Sequence, residues 1–179
     1  MIVNKAYRYR IYPTTAQKMM FAKTFGCVRF IYNKMLSDRI DYYKETGQKL
    51  NNTPAQYKEE FPWLKEVDSL ALANAQLNLN KAYSHFWNDS QHFGKPRFKS
   101  KKNSRASYST NNQKGSVRIE GHKVKLPKVG WVKLCQHRPL PENSIIKTVT
   151  ISKTPSGKYY ISMLVEYENQ VLPVIPKTF

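Results

Sequence analysis

Acidic residues are scarce in this sequence. Twelve Asp and Glu stand against thirty Lys and Arg among 179 residues, so the formal net charge is +18. A surplus of that size repels itself unless an anionic partner neutralises it. A phosphate backbone is the usual partner of such a protein, and the charge therefore favours a nucleic-acid-binding protein over a basic protein with merely solvated charges.

Cysteines and long apolar runs are equally scarce. Cys27 and Cys135 are far apart, and no CxxC pair or Cys/His cluster has zinc spacing. Both are expected to be buried small residues in a reducing, cytoplasmic environment. No run approaches the roughly 18 apolar residues of a membrane span. The basic start, MIVNKAYRYR, lacks the apolar run of a signal peptide, so no membrane partner is expected.

The residues that a catalytic site needs do not cluster. Metal-dependent nucleases hold Mg²⁺ with grouped carboxylates, whereas the twelve acids here are scattered. The four histidines show no metal spacing, and no Gly-rich loop could cradle a phosphate. The sequence therefore predicts no catalytic residue, no metal and no cofactor in this chain.

A strand opens the chain and helices follow it. Residues 2–12 alternate loosely between apolar and basic side chains, as in a strand with one basic face, and Pro13 ends it. Apolar residues at helical spacing then predict helices over about 15–25, about 27–46 and 69–90. Gly26 separates the first two. The pair resembles a helix-turn-helix, although any helical hairpin gives the same pattern.

Several residues mark the ends of the predicted helices. Thr14 or Thr15 can cap the first helix, and Gly47 can end the second. Pro54 begins a further short helix that Pro62 ends, and Asp68 caps the helix that follows.

The composition changes near residue 91. Between residues 91 and 140, thirteen basic residues face one acid, Glu120, and helix formers become rare. Short strands are predicted at about 105–111, 117–120, 122–126 and 130–135, and longer ones at 145–153 and 159–167. Residues 155–157, Pro-Ser-Gly, form the turn between the longer strands. The tail 171–179 contains two prolines and predicts an extended linker.

The order of strand, helices and strands predicts an α+β fold. A lone first strand usually returns to the later sheet. We therefore predict a small β-barrel built from residues 1–13 and about 103–170. A helical, helix-turn-helix-like subdomain of about residues 14–102 is inserted into it.

Two stretches have the composition of nucleic-acid contacts. In FGKPRFKSKK, residues 93–102, Phe93 and Phe98 could pin the chain to the fold while the cations face phosphates. In AYRYRIYP, residues 6–13, tyrosines and arginines suit stacking of unpaired bases, although a half-buried edge strand has the same pattern. The predicted backbone contacts are Arg8, Arg10, Lys95, Arg97, Lys99, Lys101, Lys102, Arg105, Lys123 and Lys125.

A third stretch is polar rather than basic. RASYSTNNQ, residues 105–113, has the spacing of a strand and carries hydrogen-bonding side chains beside the basic cluster. Asn can make a bidentate contact with an adenine edge. The alternative is an Asn-rich hairpin turn, which Asn also favours. The two interpretations stay open from the residues alone.

Five motifs, in order, resemble those of one family, the TnpB RNA-guided nucleases of bacterial insertion sequences, which are relatives of type V CRISPR effectors. The motifs are AYRYRIYPTTAQ with FGCVRFIYNKML, LKEVDSLALANAQLNLNKAYSHFW, GKPRFKSKK, LPKVGWVKL and ISKTPSGKYYISMLVEYE. Each motif alone is modest, but five in family order are specific. The resemblance spans essentially all of residues 1–179.

The resemblance implies a nucleic-acid-binding part of such a transposase-associated protein. In TnpB the first strand and later sheet form the wedge domain, a β-barrel related to oligonucleotide-binding folds. The helical insert is the recognition domain, whose start older descriptions call a transposase helix-turn-helix. The implied partners are a guide RNA and double-stranded target DNA, with a short transposon-adjacent motif read beside the target.

The resemblance also implies where that DNA motif is read. Its three places are the loop after the second long helix, the start of the third helix and the strand before the first hairpin. The corresponding residues here are Asn51, Asn52, Thr53, Gln56, Ser69, Ala73, Thr110 and Asn111. Ala73 cannot hydrogen-bond a base through its side chain, which leaves room for a motif unlike that of relatives.

The family's RuvC nuclease domain and zinc ribbon would follow residue 179, so Mg and Zn are expected only there. We therefore expect this chain not to cut DNA by itself. Two alternatives stay open. The chain could be half of a split or truncated RNA-guided endonuclease that works with a separate RuvC half. It could also be a standalone helix-turn-helix regulator that binds duplex DNA without RNA.

Overall fold

A computed structural model describes residues 1–102 and 105–170. Its first half contains strand β1 (Ile2–Tyr12), helix α1 (Thr15–Thr46), 3₁₀ turns at Pro54–Tyr57 and Pro62–Glu66, and helix α2 (Ser69–Asn88). Its second half contains β2 (Ala106–Asn111), β3 (Arg118–Glu120), β4 (Lys123–Leu126), β5 (Gly130–Cys135), β6 (Ile145–Lys153) and β7 (Tyr159–Glu168). The predicted α+β class is confirmed.

All seven strands belong to one antiparallel sheet with the order β2-β6-β7-β1-β5-β4-β3. β1 lies in the middle, where Ile2–Ile11 pair with β7 and Arg10–Tyr12 pair with β5. The sheet curls into a half-barrel, and within the described ranges its edge strands β2 and β3 do not pair with each other. The first strand thus returns to the later sheet, as the order of elements predicted.

Alternation along the strands gives the sheet an apolar inner face and a polar outer face. In β1, Tyr7, Tyr9 and Ile11 are buried, whereas Arg8 between them is exposed. The Tyr9 hydroxyl donates to the backbone oxygen of Arg138 at 2.9 Å, so the phenol is satisfied inside the core. The odd-numbered tyrosines of this strand, Tyr7 and Tyr9, therefore lie in the core, whereas the even-numbered Tyr12 lies at the surface.

Helix α1 begins and ends at signals that the sequence already carried. The Thr14 hydroxyl accepts from the Gln17 amide at 3.3 Å, and the Gln17 side chain accepts from the Thr14 amide at 3.0 Å. These two bonds form a capping box. Gly47 ends the helix in the left-handed conformation, with φ +70°, which glycine adopts without steric penalty.

The break predicted at Gly26 is wrong, because α1 continues through it as one helix. A glycine inside a helix costs only about 1 kcal/mol relative to alanine. Phe25, Val28 and Ile31 are buried on both sides of it, and their packing outweighs that cost. This segment is therefore one long helix rather than a helical hairpin.

The 3₁₀ turns and α2 complete the helical part. The short helix predicted between Pro54 and Pro62 is instead a 3₁₀ turn at Pro54–Tyr57, and Pro62 begins the second turn rather than ending a helix. Asp68 caps α2 by accepting from the Leu70 amide at 3.0 Å. The apolar stripe of α2 is buried at Ala71, Leu72, Ala75 and Leu79 and only partly buried at Ala82, Tyr83 and Phe86.

One hydrophobic core joins the helices to the inner face of the sheet. Phe21 of α1 stacks on Tyr159 of β7 with 5.7 Å between ring centroids, and Phe25 meets Tyr108 of β2 at 5.6 Å. Cys27 is buried in this core, as expected. The expected burial of Cys135 is wrong, because it occupies an outward position at the end of β5.

The division into a wedge-type unit (1–13 and 103–170) and a helical recognition subdomain (14–102) stays a prediction. The predicted linker, 171–179, lies outside the described residues.

Within residues 1–102 and 105–170, no helix is both long and apolar enough to cross a membrane.

A buried polar contact fastens α2 to the sheet edge. The Thr110 hydroxyl of β2 donates to the carboxylate of Asp68, and both side chains are buried. Asp68 therefore supports two elements at once, because its other oxygen caps α2. A buried carboxylate that loses one partner carries a desolvation penalty.

Thr110→Val should lower the free energy of unfolding by about 1–3 kcal/mol, because it leaves the Asp68 carboxylate short of a donor. Urea denaturation of Thr110→Val, Asp68→Ala and the double variant measures the effect. A coupling of about 1 kcal/mol or more is expected between the two changes. Strictly additive losses would show that this contact contributes nothing.

Candidate nucleic-acid interface

The outer face of β1, β4 and β5 carries five cations that we call the outer basic face: Arg8, Arg10, Lys123, Lys125 and Lys133. None forms an ion pair with a carboxylate of the described residues. Lys123 lies directly opposite Lys133 in the pairing of β4 with β5. Like charges in directly opposed positions destabilise a sheet, and Glu120, which lies opposite Lys123 on β3, forms its ion pair with Arg118 instead.

Aromatic rings lie between these cations on the same face. The guanidinium of Arg8 lies 4.1 Å from the ring centroid of Tyr160, and that of Arg10 lies 5.0 Å from Tyr12. Such contacts hold a cation flat against a ring while leaving its edge open. At the β3 edge, Arg118 lies 5.5 Å from the Trp131 ring in the same way.

The structure shows which of the tyrosines proposed for base stacking are exposed. Tyr7 and Tyr9 are buried and cannot stack on a base, whereas Tyr12 is 46% exposed. Sequence reasoning missed Tyr160 and Trp131, which lie beside Arg10 and Arg118. The alternation of inward and outward side chains in β5 and β7 could have shown that these rings face outward. The strand pairing that brings them beside residues of β1 and β3 cannot be read from the sequence.

The basic segment, residues 93–102, is held against α1 by an amide side chain. The Asn33 side chain donates to the backbone oxygen of Lys99 at 2.9 Å and accepts from its amide at 2.8 Å. The Lys99 ammonium lies 4.4 Å from the Tyr32 ring centroid, and desolvation there lowers the pKa of Lys99. The Lys99 side chain is thus partly engaged in contacts within the fold.

Like Lys99, the other cations of this region are exposed: Lys95, Arg97, Lys101, Lys102 and Arg105. The predicted pinning by Phe98 is wrong, because its side chain is 56% exposed. Phe93 packs on His85 at 4.8 Å between centroids, yet 46% of it remains exposed. Asn33 provides the anchor instead, and no local sequence signal could have identified a residue so distant along the chain.

Asn33→Ala should release the basic segment while leaving the core folded, because both bonds that fix the Lys99 backbone disappear. We expect faster tryptic cleavage at Lys99 and Lys101 and faster amide exchange there, with unchanged exchange in β1. Asn78→Ala, at an exposed position of α2, is the matched control. Equal cleavage rates in both variants would contradict the role assigned to Asn33.

The loop predicted to read DNA is organised around a buried amide. Asn52 accepts from Arg39 Nε at 2.7 Å and donates to the Tyr57 hydroxyl at 2.8 Å. The Tyr57 hydroxyl donates in turn to Asp38 at 2.7 Å. Asn52 is 3% exposed, so direct contact with a base does not fit its position. It holds the loop in place instead.

The other predicted residues of this loop, Asn51, Thr53 and Gln56, are exposed. The Thr53 amide donates to Gln56 Oε1 at 3.1 Å, which leaves the Gln56 amide nitrogen facing outward as a donor. The Lys58 ammonium donates to Ser69 Oγ at 3.2 Å and so connects the loop to the start of α2.

Two of the three places predicted to read the DNA motif, the start of α2 and strand β2, lie next to each other at the first turn of α2. Ser69 is exposed there, and Ala73 is partly buried one turn further along. Thr110 reaches the same point from β2 through its bond to Asp68, but it is fully buried and has no surface for a base. Asn111 is half-buried and points to the opposite face of the sheet, where it accepts from the Thr148 hydroxyl at 3.3 Å.

Burial, followed by the hydrogen bond to Asp38, raises the pKa of Tyr57 to about 12. A raised folded-state pKa stabilises the fold fully below the unfolded value near 10, and this contribution is lost as the pH rises to about 12. At neutral pH, Tyr57→Phe should cost on the order of 1–2 kcal/mol, because Asn52 and Asp38 lose a partner.

The difference in unfolding free energy between the wild type and Tyr57→Phe should therefore shrink between pH 10 and 12. Urea denaturation across that range measures it. Tyr43→Phe, at an exposed site, removes one phenol from the background titration and serves as control. A constant difference up to pH 12 would contradict this assignment.

Potential metal ligands are dispersed in the described part of the chain. Within residues 1–102 and 105–170, no three His, Cys, Asp or Glu side chains are grouped as a metal ion would require.

Comparison with known proteins identifies a matching family model and several similar proteins. Residues 1–48 match a family described as a helix-turn-helix domain, HTH_OrfB_IS605. In this structure that range comprises β1 and the single helix α1.

Three relatives illustrate the similarity. A protein of Streptomyces pristinaespiralis named as a candidate RNA-guided DNA endonuclease is 32% identical over 171 residues, which cover 92% of this chain and 42% of that protein. InsQ of Escherichia coli K12, named in the same way, is 26% identical over 171 residues, covering 92% and 41%. Virulence protein VsdF of Salmonella dublin is 33% identical over 113 residues, covering 54% and 93%. The chain thus spans about two fifths of the first two relatives.

Proposed function

The chain belongs to the TnpB family of transposon-encoded RNA-guided nucleases and corresponds to its N-terminal part, and on this premise we propose that it binds nucleic acid for such a complex. Its partners are a guide RNA and double-stranded DNA carrying a short motif beside the target. Base pairing would select the sequence, while the protein would recognise shape, backbone and motif.

The outer basic face is the observation that carries this proposal. Lys123 lies opposite Lys133 on one side and opposite Glu120 on the other, but Glu120 forms its ion pair with Arg118, so the five cations of this face have no ion-pair partner within the described residues. An anion lying over the face would offset their mutual repulsion. A nucleic-acid backbone supplies a row of such anions, and counterion release then favours binding. The rings of Tyr12 and Tyr160 offer stacking surfaces among the same cations.

We assign phosphate binding and motif reading to different surfaces. Phosphates are held by the outer basic face and by the exposed cations of the basic segment. Base edges are contacted by those side chains of the predicted set that reach the surface at least in part: Asn51, Thr53, Gln56, Ser69 and Asn111. Asn52 and Thr110 support these contacts from inside the fold, and Ala73 offers only van der Waals contact.

Cleavage is assigned to the larger protein. The two relatives named as candidate endonucleases are more than twice as long as the region that aligns with this chain. We propose that cleavage, and the Mg and Zn that it needs, depend on the part of those relatives that the chain does not cover. A separately supplied RuvC half would test the split-nuclease alternative.

The phosphate-binding assignment predicts a smaller salt dependence when the outer basic face loses charge. Replacing Lys123, Lys125 and Lys133 with Ala should weaken binding to RNA and DNA at least tenfold at low salt. The slope of log Kd against log salt should fall by about 0.7–0.9 for each phosphate that the variant no longer neutralises. Replacing the exposed Lys18, Lys44 and Lys65 removes the same charge elsewhere. Identical slopes for both triple variants would refute the assignment.

The reading assignment predicts a loss of discrimination without a change in salt slope. Gln56→Ala, Ser69→Ala and Asn111→Ala should each reduce the preference for the selected motif by about 1–3 kcal/mol. The motif is first identified by selecting bound duplexes from a randomised library with the RNA-loaded protein. If these variants lose affinity equally for all sequences, the assignment of base reading and phosphate binding to different surfaces is wrong.

The RNA that copurifies from the native host tests the proposed partner. One dominant transcript from the transposon end would support a guide-RNA complex. RNA-free protein that selects one duplex motif would instead support the standalone regulator, although residues 1–48, which match the helix-turn-helix family, form one strand and a single helix.

A further inference from the structure

Gly26 occupies the middle of α1 without a reason inside the fold. A Cβ added there would meet no atom within 4 Å, and its backbone is ordinary right-handed helix. Alanine would therefore fit and would stabilise the helix, since glycine is among the poorest helix formers. A glycine that the chain itself does not need is typical of a position where another backbone approaches closely.

Gly26 lies on an open cleft of about 550 Å³ between α1, the basic segment and the β6–β7 turn. Each of these elements contributes one cation: Arg29, Lys101 and Lys153. No carboxylate lines the cleft, and none of the three forms an ion pair within the described residues. The cleft therefore has the electrostatic character of an anion site.

Independent contacts hold the walls of this cleft. Asn33 fixes the basic segment to α1 two turns beyond Gly26. On the other wall, a 2.8 Å hydrogen bond between the Thr154 and Lys158 backbones closes the β6–β7 turn, and Phe21 of α1 stacks on Tyr159 beside it with 5.7 Å between ring centroids. The three cations thus come from elements whose relative positions are set before any ligand arrives, which reduces the entropy lost on binding.

We propose that this cleft binds the sugar-phosphate backbone of one nucleic-acid strand, with Gly26 as the point of closest approach to α1. The inference rests on the proposed nucleic-acid binding and adds a site outside the outer basic face. Arg29, Lys101 and Lys153 would neutralise successive phosphates. The cleft is open and its cations are spread over three elements, which suits a continuing strand better than a single free phosphate.

Gly26→Ala separates this role from a structural one, because stability and affinity should change in opposite directions. The melting temperature should rise by about 2–4 °C if the helix gains about 1 kcal/mol. Affinity should fall about threefold for Gly26→Ala and on the order of tenfold for Gly26→Leu, as added carbon displaces the strand. Ala16→Leu, an exposed position on the same helix that does not line the cleft, is the matched control.

The probes are fluorescent strands of about 30 nucleotides, long enough to span several phosphate contacts: single-stranded RNA, single-stranded DNA and duplex DNA. Loss confined to RNA would assign the cleft to the guide, and loss confined to duplex DNA would assign it to the target. Arg29→Gln with Lys153→Gln should also flatten the salt slope.

Gly26→Ala and Gly26→Leu that bind all three probes as tightly as the wild type would overturn the cleft assignment while leaving the proposed function intact. A wild-type protein that binds none of the probes would instead overturn the proposed function, and the cleft with it.

Discussion

The pairing of the first strand with the later sheet is the constraint on which the structure depends. β1 is the only strand of the described residues that joins β2-β6-β7 to β5-β4-β3, so without it the sheet separates into two pieces. The whole helical part lies in the chain between β1 and β2, which belong to the same sheet. The same strand sends Tyr9 and Ile11 into the core and Arg8 to the surface, so stability and the candidate interface share one element.

The cations of the outer face suit binding of an anion, but their mutual repulsion destabilises the fold. Apolar packing at the inner face and buried hydrogen bonds at Asp68 and Asn52 stabilise the fold, whereas opposed lysines on the outer face oppose it. Nucleic acid would resolve this conflict by neutralising the outer face. The proposed role of Gly26 follows the same pattern, because this glycine lowers helix stability at a position where an added Cβ would meet no other atom of the protein.

Local signals predicted the elements well. Thr14, Gly47 and Asp68 mark helix ends through bonds to their immediate neighbours, and such bonds do not depend on the rest of the chain. Apolar alternation located the strands for the same reason. Gly26 was misread as a break because glycine's helix penalty is small beside the packing of its neighbours, which a residue-by-residue reading does not weigh.

The sequence by itself determined the net charge, the order of elements and, through its five motifs, the family to which the chain belongs. Only the tertiary structure decided which polar residues are buried and which reach the surface. Asn52 and Thr110 are buried by contacts with Tyr57 and Asp68, and Tyr160 lies beside Arg8 through strand pairing. The physical reason is that exposure depends on strand register and long-range packing, neither of which is encoded in the spacing of neighbouring residues.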